Sequence, residues 1–219
     1  HDYEQLLADA DDSEPGVLVD DDDYAQIFYT SGTTGLPKGA LLTHRNYLTH
    51  APGYLLELAQ SPGGISPHDT YLQNSPLFHA GGWGLTFSHL WFRNTVVTLR
   101  AFDAEKVLEC IEREQVTITW LVATMSTFLL GSPKFSDYDT SSLRICVSAG
   151  APLPTALKQE LRANFPGLHV IDLLGQTELS AGIIALSHPD DVDKKVACVG
   201  VPLTMAEAKV VDDQGNEVP

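Results

Sequence analysis

Short apolar runs alternate with longer amphipathic patterns through most of this sequence, and that alternation restricts the fold more than any other feature. The strand patterns are AQIFYT, GALLTH, TYLQN, TVVTL, VTITWL, LRICVSA, HVIDLL and GIIAL. The helical patterns are His44–Ala59, Gly81–Phe92, Ala104–Glu114, Ala123–Leu130 and Pro154–Asn164. Because strands and helices alternate, we expect an α/β fold in which mostly parallel sheets are flanked by helices.

The net charge of the protein excludes some classes of binding partner. The 219 residues include 29 Asp and Glu against 13 Lys and Arg, which gives a formal net charge of −16 at pH 7. A surface this acidic repels phosphate backbones and anionic lipids, so we expect no nucleic-acid partner. Any anionic ligand must be held by a local group of donors.

The cysteines and the hydropathy pattern favour a cytoplasmic protein. Cys110, Cys146 and Cys198 are far apart, odd in number and set in apolar runs, which is typical of buried thiols in a reducing compartment. Neither the cysteines nor the histidines have the spacing of a zinc site. No segment resembles a leader or reaches the length of a membrane span, so we expect no integral membrane segment.

The two ends of the sequence differ from its centre. Residues 1–23 are rich in Asp and poor in core residues, and we interpret them as an acidic linker or partial N-terminal segment before a folded region at 24–219. The final run AKVVDDQGNEVP has the pattern of a strand, a turn at Gly215 and the start of a second strand. Since a domain rarely ends inside a hairpin, we expect this chain to be a piece of a longer protein.

The segment YTSGTTGLPKG combines hydroxyls, glycines and one lysine directly after a strand pattern. In α/β proteins ligands bind at loops that follow the carboxyl ends of strands, where glycines let the backbone approach a ligand. Hydroxyls, N–H groups and a mobile positive charge together suit a polyphosphate. The alternative is a polar turn between two strands. The candidate nucleotide-binding residues are Thr30, Ser31, Gly32, Thr33, Thr34, Gly35 and Lys38.

A second polar turn follows the strand pattern HVIDLL, in the segment LLGQTELSAG. The hydroxyl of Thr177 can bond a phosphate oxygen, and the carboxylate of Glu178 can hold the Mg²⁺ that neutralises a triphosphate. The same pair is also good chemistry for the start of a helix, which is the favoured interpretation for the turn alone. Beside the hydroxyl-rich loop, the ligand role is favoured instead.

The segment YTSGTTGLPKG resembles the phosphate-binding signature of the adenylate-forming superfamily, which includes acyl-CoA synthetases, aryl-CoA ligases, luciferases and peptide-synthetase adenylation domains. Further resemblances follow in the family's order: PLFHAGGW at Pro76–Trp83, SAGAPLP at Ser148–Pro154, GQTE at Gly175–Glu178 and VGVPL at Val199–Leu203. They extend from about Tyr24 to the last residue. The resemblance implies the central part of the large N-terminal AMP-binding domain, without the C-terminal domain.

The resemblance also implies roles for residues around the nucleotide. It places Thr177 at the phosphate and Glu178 at the metal, and it makes both, with Lys38, the candidate catalytic residues. Leu174 stands where the family usually has an aromatic residue stacked on adenine, and loss of stacking weakens binding by about 1 kcal/mol. The residues implied around adenine are Gly150, Ala151, Pro152, Asp172, Leu173, Leu174, Gly175 and Thr177.

The segment PLFHAGGW is implied to border the acid. In the acyl-activating branch of the family the histidine matching His79 borders the carboxylate pocket, and Gly81 and Gly82 would leave room for the acyl chain to pass. The segment that contains Gly150 lies between adenine and the acyl chain in the family. Trp83 looks like the gate of a fatty-acid tunnel. The alternative is a hydrogen-bonded histidine and a core tryptophan. No Asp follows Phe78, which argues against an amino-acid substrate.

The resemblance implies a ligase with ATP, Mg²⁺ and coenzyme A, whose small-molecule substrate is a carboxylic acid. The acid attacks the α-phosphate of ATP to form acyl-AMP, and coenzyme A then displaces AMP. We expect a medium- or long-chain fatty acid, with an aryl-CoA ligase or an acyl-AMP ligase serving a carrier protein as alternatives. The alternative of another class is a non-catalytic nucleotide-binding relative. The family's ribose-binding Asp, hinge and C-terminal lysine have no matches in this sequence, so we expect this chain alone to convert little substrate. A homo-oligomer is a further alternative for the assembly.

Overall fold

The computed structural model describes residues 2–32, 35–186 and 198–218. Its helices are α1 Tyr3–Asp9, α2 His44–Ala59, α3 Ala80–Trp91, α4 Ala104–Arg113, α5 Ala123–Leu130 and α6 Thr155–Asn164. Its strands are β1 Tyr24–Thr30, β2 Lys38–Thr43, β3 Thr70–Gln73, β4 Thr95–Thr98, β5 Ile118–Leu121, β6 Ile145–Ala149, β7 His169–Gln176, β8 Ala181–Leu186 and β9 Val201–Pro202. Short 3₁₀ turns lie at Phe135–Asp137 and Thr177–Leu179.

The larger sheet has the strand order β4-β3-β5-β6-β7-β8-β9. Neighbouring strands from β4 to β7 are parallel, and β8 and β9 are added antiparallel at one edge. Helices α3 to α6 connect the successive parallel strands, because a parallel pair needs a long crossover. The predicted α/β fold with a mostly parallel sheet flanked by helices is confirmed. The carboxyl ends of β5, β6 and β7 consequently meet at one edge, where ligands of such sheets bind.

Side chains alternate between the two faces of this sheet, and each face is covered by its own helices. On one face Cys146 and Val170 pack with the apolar sides of α4, α5 and α6. On the other face Val147 and Ile171 pack with α2 and α3. Trp120 of β5 belongs to this second face. The large ring therefore lies beneath the helix that carries the PLFHAGGW segment.

Strands β1 and β2 form a separate antiparallel hairpin, in which Tyr29 pairs with Gly39. One face of the hairpin packs on α2 and α3, and the other face is exposed. The packed face forms the hairpin cluster of Phe28, Leu42, Tyr47, Ala80, Trp83 and Phe87. Thr43 ends β2 and also caps α2 in a capping box with Asn46, so the hairpin is tied directly to the helix.

Helix α1 is an element that the sequence patterns did not predict. Residues 2–23, which include it, are all exposed, and Asp2 caps the helix by accepting the N–H of Glu4. The helix therefore adds nothing to either core. At the other end, the predicted strand pair is reduced to a bridge between Val211 and Glu217 around a turn at Asp212.

Two of the three cysteines are buried, as the sequence predicts. They are Cys110 and Cys146, and burial raises the pKa of Cys146 to about 12. Cys198 is exposed, so the expectation of a buried thiol is wrong there. In the described part of the chain, no helix has both the length and the hydrophobicity that a membrane crossing requires.

Candidate active site

Three cavities meet at the carboxyl edge of β5, β6 and β7. We call them the inner cavity, of about 180 Å³, the edge cavity, of about 170 Å³, and the outer cavity, of about 420 Å³. Gly150 lines all three. It follows β6 with a φ of 85°, a left-handed conformation that favours glycine, and the chain turns there toward α6. The backbone of Gly150 therefore lines the point where the cavities meet, and no side chain projects from it.

The inner cavity lies between α3 and the ends of the central strands. Its apolar walls include Leu85, Trp120 and Leu173, which are all buried. Its polar groups include Gln176 and Thr177, at the end of β7. An apolar space with a hydroxyl at one side suits a ligand that is apolar at one end and charged at the other.

His79 lines both the inner and the outer cavity and begins α3. Its Nδ1 accepts the N–H of Gly81 at 3.1 Å, so the neutral ring carries its proton on Nε2. The ring centroid lies 5.9 Å from that of Trp120. His79 thus has an aromatic neighbour on the cavity wall and an N–H that can donate to a ligand oxygen.

Gly81 and Gly82 bring α3 close to its neighbours in different ways. A Cβ on Gly82 would lie 2.4 Å from the carbonyl oxygen of Pro76, so only glycine lets the helix pack on this loop. A Cβ on Gly81 would lie 3.2 Å from Trp120 Cη2 and 3.2 Å from His79 Nδ1. Gly81 therefore faces the inner cavity, whereas Gly82 is a packing residue.

Trp83 lies in the hairpin cluster, with Tyr47 and Phe87. It does not line the inner, edge or outer cavity in the described part of the chain. The reason is helical geometry, because residues two positions apart point about 200° apart around an α-helix, and Gly81 takes the cavity side. The role of Trp83 as a gate stays a prediction, now at a position outside these cavities.

The edge cavity is lined by residues at the ends of β6 and β7. Ser148 and Asp172 are paired in register on these neighbouring strands and line it together. Lys158 of α6 is buried and donates to the partly buried carboxylate of Asp172 in an ion pair. Burial raises the pKa of Asp172, and Lys158 opposes the rise. Leu174, 41% exposed, offers an apolar surface to the same space.

The hydroxyl- and glycine-rich loop connects β1 to β2. Gly32 and Gly35 have φ values of 64° and 140°, both of which favour glycine. Lys38 is exposed as the first residue of β2, and its carbonyl accepts the hydroxyl of Thr30 at 3.4 Å. Ser31 is also exposed. The predicted phosphate-binding residues that lie outside the described part of the chain are Thr33 and Thr34.

The 3₁₀ turn Thr177–Leu179 packs against β2 of this hairpin. It is not followed by an α-helix and has no side-chain cap, so the alternative of a helix start is wrong. Thr177 lines the inner cavity, whereas Glu178 lines another cavity, of about 300 Å³, with Arg45. The two residues of the turn thus line different cavities.

A nucleotide-bound Mg²⁺ would take Glu178 as its protein ligand. The described residues contain no group of three or more His, Cys, Asp or Glu side chains arranged for a metal. Mg²⁺ is usually bound through one or two carboxylates and the oxygens of substrate phosphates. A single exposed carboxylate next to the hydroxyl of Thr177 fits that mode of binding.

Sequence patterns did not single out Trp120, Lys158 or Gln176 as residues of the site. The run VTITWL identified β5, but strand alternation shows only that Trp120 faces a helix layer. Whether that layer leaves a cavity depends on the packing of α3. A search for polar residues on the buried side of α6 would have drawn attention to Lys158.

Comparison with known proteins gives a consistent result. The family model of the AMP-binding enzymes matches residues 2–219. A feruloyl-CoA synthase from Amycolatopsis sp is 34% identical over 211 residues, which are 96% of this chain and 41% of the relative. The chain thus spans about two fifths of the length of the curated relatives it matches.

Two solved structures show the same likeness in three dimensions. o-Succinylbenzoate coenzyme A synthetase from Bacillus subtilis, in complex with ATP and magnesium ion, aligns with a TM-score of 0.85 at 32% identity, over 99% of this chain and 43% of that one. A fatty acyl CoA synthetase from Mycobacterium tuberculosis aligns with a TM-score of 0.85 at 28% identity, over 98% of this chain and 40% of that one.

Proposed function

This chain belongs to the AMP-binding enzyme family, and we propose that its protein uses ATP to activate a carboxylic acid as acyl-AMP and then forms a thioester with coenzyme A. The observation that carries the proposal is the meeting of the inner and edge cavities at Gly150, beside the turn of Thr177 and Glu178. With the acid in the inner cavity and the nucleotide base in the edge cavity, the carboxylate and the α-phosphate would meet beside Gly150, where no side chain separates them. The relatives are CoA ligases, which supports the same class of reaction.

The edge cavity is the proposed site of the adenine base. Asp172, held by Lys158, offers a carboxylate oxygen to an exocyclic amine, and Ser148 has a buried hydroxyl without a hydrogen-bond partner among the described residues. Leu174 would pack on the ring by apolar contact in place of aromatic stacking. The site therefore supplies polar and apolar contacts of the kinds that a purine uses.

The triphosphate is assigned to the side where the hairpin meets the turn. Thr177 would donate its hydroxyl to a phosphate oxygen, and Lys38 would bring a positive charge from the hairpin. A Mg²⁺ bound at Glu178 would supply charge neutralisation for the phosphates. These residues position the reactants and stabilise negative charge, and none of them serves as a nucleophile.

The reaction has two balanced steps. A carboxylate oxygen attacks the α-phosphorus, the bond to the bridging oxygen breaks, and pyrophosphate leaves. The sulfur of coenzyme A then attacks the carbonyl carbon, the bond to the phosphate oxygen breaks, AMP leaves, and the thiol proton passes to solvent. His79 lies at the border of the inner and outer cavities, where its Nε2–H can orient the carboxylate.

We further propose that residues 24–219 form part of a larger N-terminal domain, in line with the share of its relatives that the chain covers. The family's ribose-binding Asp, hinge and C-terminal lysine would come from the rest of the protein. A cytoplasmic location stays a prediction from the sequence. Transfer to a carrier protein in place of coenzyme A is the alternative for the second step.

Two kinds of carboxylic acid are candidates for the substrate. The sequence motifs predict a fatty acid, and the likeness to a fatty acyl CoA synthetase supports that candidate. An aromatic acid is the second candidate, favoured by the small size of the inner cavity and by relatives named for feruloyl and succinylbenzoate substrates.

The test is pyrophosphate release by the full-length protein with Mg·ATP and a panel of aromatic, fatty and amino acids, each with and without coenzyme A. We expect release that depends on an acid, and acyl-CoA only when coenzyme A is present. Acyl transfer to a phosphopantetheine-loaded carrier protein, but not to coenzyme A, would favour the carrier alternative. ATP binding without release for any acid would overturn the proposal in favour of a non-catalytic relative.

A further inference from the structure

Building on the proposed function, we propose that Trp120 limits the acid substrate to a compact one, about one aromatic ring in size, by closing the inner cavity with its indole. Trp120 lines both the inner and the outer cavity. Its side chain is only 4% exposed and stands on the sheet face that α3 covers. The indole is therefore a partition between two spaces as well as a core residue.

The closed side of the inner cavity is filled by core side chains. Leu85 and Leu173 continue the wall from Trp120, and both are buried. Tyr71 and Ile118, in the same core cluster, are fully buried. Since protein cores are close-packed, an acyl chain cannot extend through this layer without moving it.

The two glycines of α3 do not open a passage for a long chain. At Gly82 the carbonyl of Pro76 already occupies the space that even a methyl group would need. At Gly81 the helix lies at contact distance from the indole, since a Cβ would be 3.2 Å from Trp120 Cη2. Trp83 points instead into the hairpin cluster. The route first expected for a fatty acyl chain is thus occupied by protein.

The volume of the inner cavity matches one ring. A buried apolar cavity of about 150 Å³ is large enough to bind benzene. The inner cavity, of about 180 Å³, accommodates a ring and little more. The rings of Trp120 and His79, with centroids 5.9 Å apart, offer aromatic surfaces that favour a flat π system. A compact aromatic acid therefore fits better than a long aliphatic one.

A purely structural role explains Trp120 less well. Its indole N–H is buried and has no hydrogen-bond partner among the described residues. An unsatisfied buried donor is unfavourable, and a phenylalanine would fill a core position without it. The size and shape of the indole at the partition are a sufficient reason for its presence.

Removal of the indole would widen the connection between the inner cavity and the outer one, of about 420 Å³. The test compares kcat/KM of the full-length protein for benzoic, cinnamic and decanoic acids in pyrophosphate release. The wild type should favour the better aromatic acid over decanoic acid by at least about tenfold, the discrimination typical of pocket shape. The Trp120→Ala variant should reduce that ratio at least tenfold or reverse it.

Three further variants make the result specific. Trp120→Phe keeps an aromatic ring and should keep most of the preference for aromatic acids over decanoic acid. Trp120→Leu repeats the test with a smaller loss of packing if the alanine variant does not fold. Trp91→Ala is the matched control, because Trp91 is an exposed tryptophan at the end of α3 and lines none of the inner, edge and outer cavities among the described residues, and the ratio should change less than threefold.

Each remaining outcome counts against a distinct claim. No acid-dependent release by the wild type overturns the proposed function, and this inference with it. A wild type that prefers decanoic acid, or folded and active Trp120 variants with an unchanged ratio, overturns the inference and leaves the proposed function intact. A ratio that shifts in Trp83→Ala but not in the Trp120 variants would overturn the inference in favour of the gate first expected at Trp83.

Discussion

The hairpin β1–β2 and the carboxyl edge of the larger sheet both hold candidate functional groups, but they hold them in opposite environments. In the hairpin, Lys38 and Ser31 are exposed, and the paired strands expose Tyr29 as well. At the sheet edge, Ser148 is 2% exposed, and Asp172 is paired with the buried Lys158.

This difference in burial indicates which residues contribute to function and which also contribute to stability. An exposed lysine loses little hydration on folding, so its charge contributes to the fold weakly and remains available to a ligand. A buried carboxylate loses its hydration, and a partner of opposite charge must compensate for that loss. Removal of the partner should therefore destabilise the fold. Changes at exposed residues of the hairpin should thus alter activity alone, and changes at the buried residues of the sheet edge should alter both activity and stability.

The largest effect is expected from Lys158→Met. The change keeps the length of the side chain but leaves the partly buried Asp172 without its hydrogen-bonded cation, which should lower the free energy of unfolding by about 3 kcal/mol. Urea denaturation followed by tryptophan fluorescence measures the loss. Pairing it with Asp172→Leu should recover most of the stability, because both charges are then gone.

The matched control for this pair is Arg113→Ala, which breaks an exposed ion pair with Glu109. It should leave the unfolding midpoint unchanged, since exposed pairs are worth little. Equal effects of the two variants would break the comparison between buried and exposed groups.

Lys38→Ala should have the next largest effect, on activity alone. Loss of a charge that stabilises phosphate oxygens should lower kcat/KM for acid-dependent pyrophosphate release about 100-fold or more. The unfolding midpoint should not move, because Lys38 is exposed. Lys106→Ala, at an exposed lysine of α4, is the control and should retain full activity. A Lys38 variant that loses stability instead would show that the hairpin is part of the fold's core.

The smallest effect is expected from the pH dependence of stability, through one buried histidine of α3. His89 of α3 is buried, with its Nδ1 2.9 Å from Asn94, its Nε2 3.3 Å from the hydroxyl of Tyr54, and its ring stacked on Tyr71. Burial lowers the pKa of His89 to about 4, although Asn94 and the charge of Asp69 oppose the shift. The unfolded chain therefore binds the proton first as pH falls.

Stability should consequently be complete above the unfolded pKa of about 6.5 and decline toward pH 4, by up to about 1.4 kcal/mol per pH unit. Denaturation at pH 7, 5.5 and 4.5 measures the slope. His89→Gln should flatten it, whereas His68→Gln, at an exposed histidine, should not. The same slope in wild type and His89→Gln would assign the pH dependence to other groups.

Local patterns predicted much of this molecule. Helices α2 and α5 have the bounds expected from the sequence, and α3 begins one residue before the predicted start. Capping and turn preferences act over a few residues, so they can be read without knowledge of the fold. Helix α1 was missed because no buried face marks it.

The site was predicted unevenly for a similar reason. Motif residues such as Gly150 and Thr177 do line cavities at the sheet edge. Trp120 was not foreseen, although it forms the wall that Gly81 faces. Lys158 and Asp172 lie 14 positions apart and meet only because α6 packs on the sheet face formed by β6 and β7.

The sequence by itself determined the α/β class, the order of the elements and the polar character of the two turns, because periodicity and turn chemistry are local properties. Only the tertiary structure decided which tryptophan lines a cavity, which glycine is a packing contact and which lysine is buried. Those outcomes depend on distances between elements far apart in the chain, where shifts of an ångström separate a cavity from a filled core.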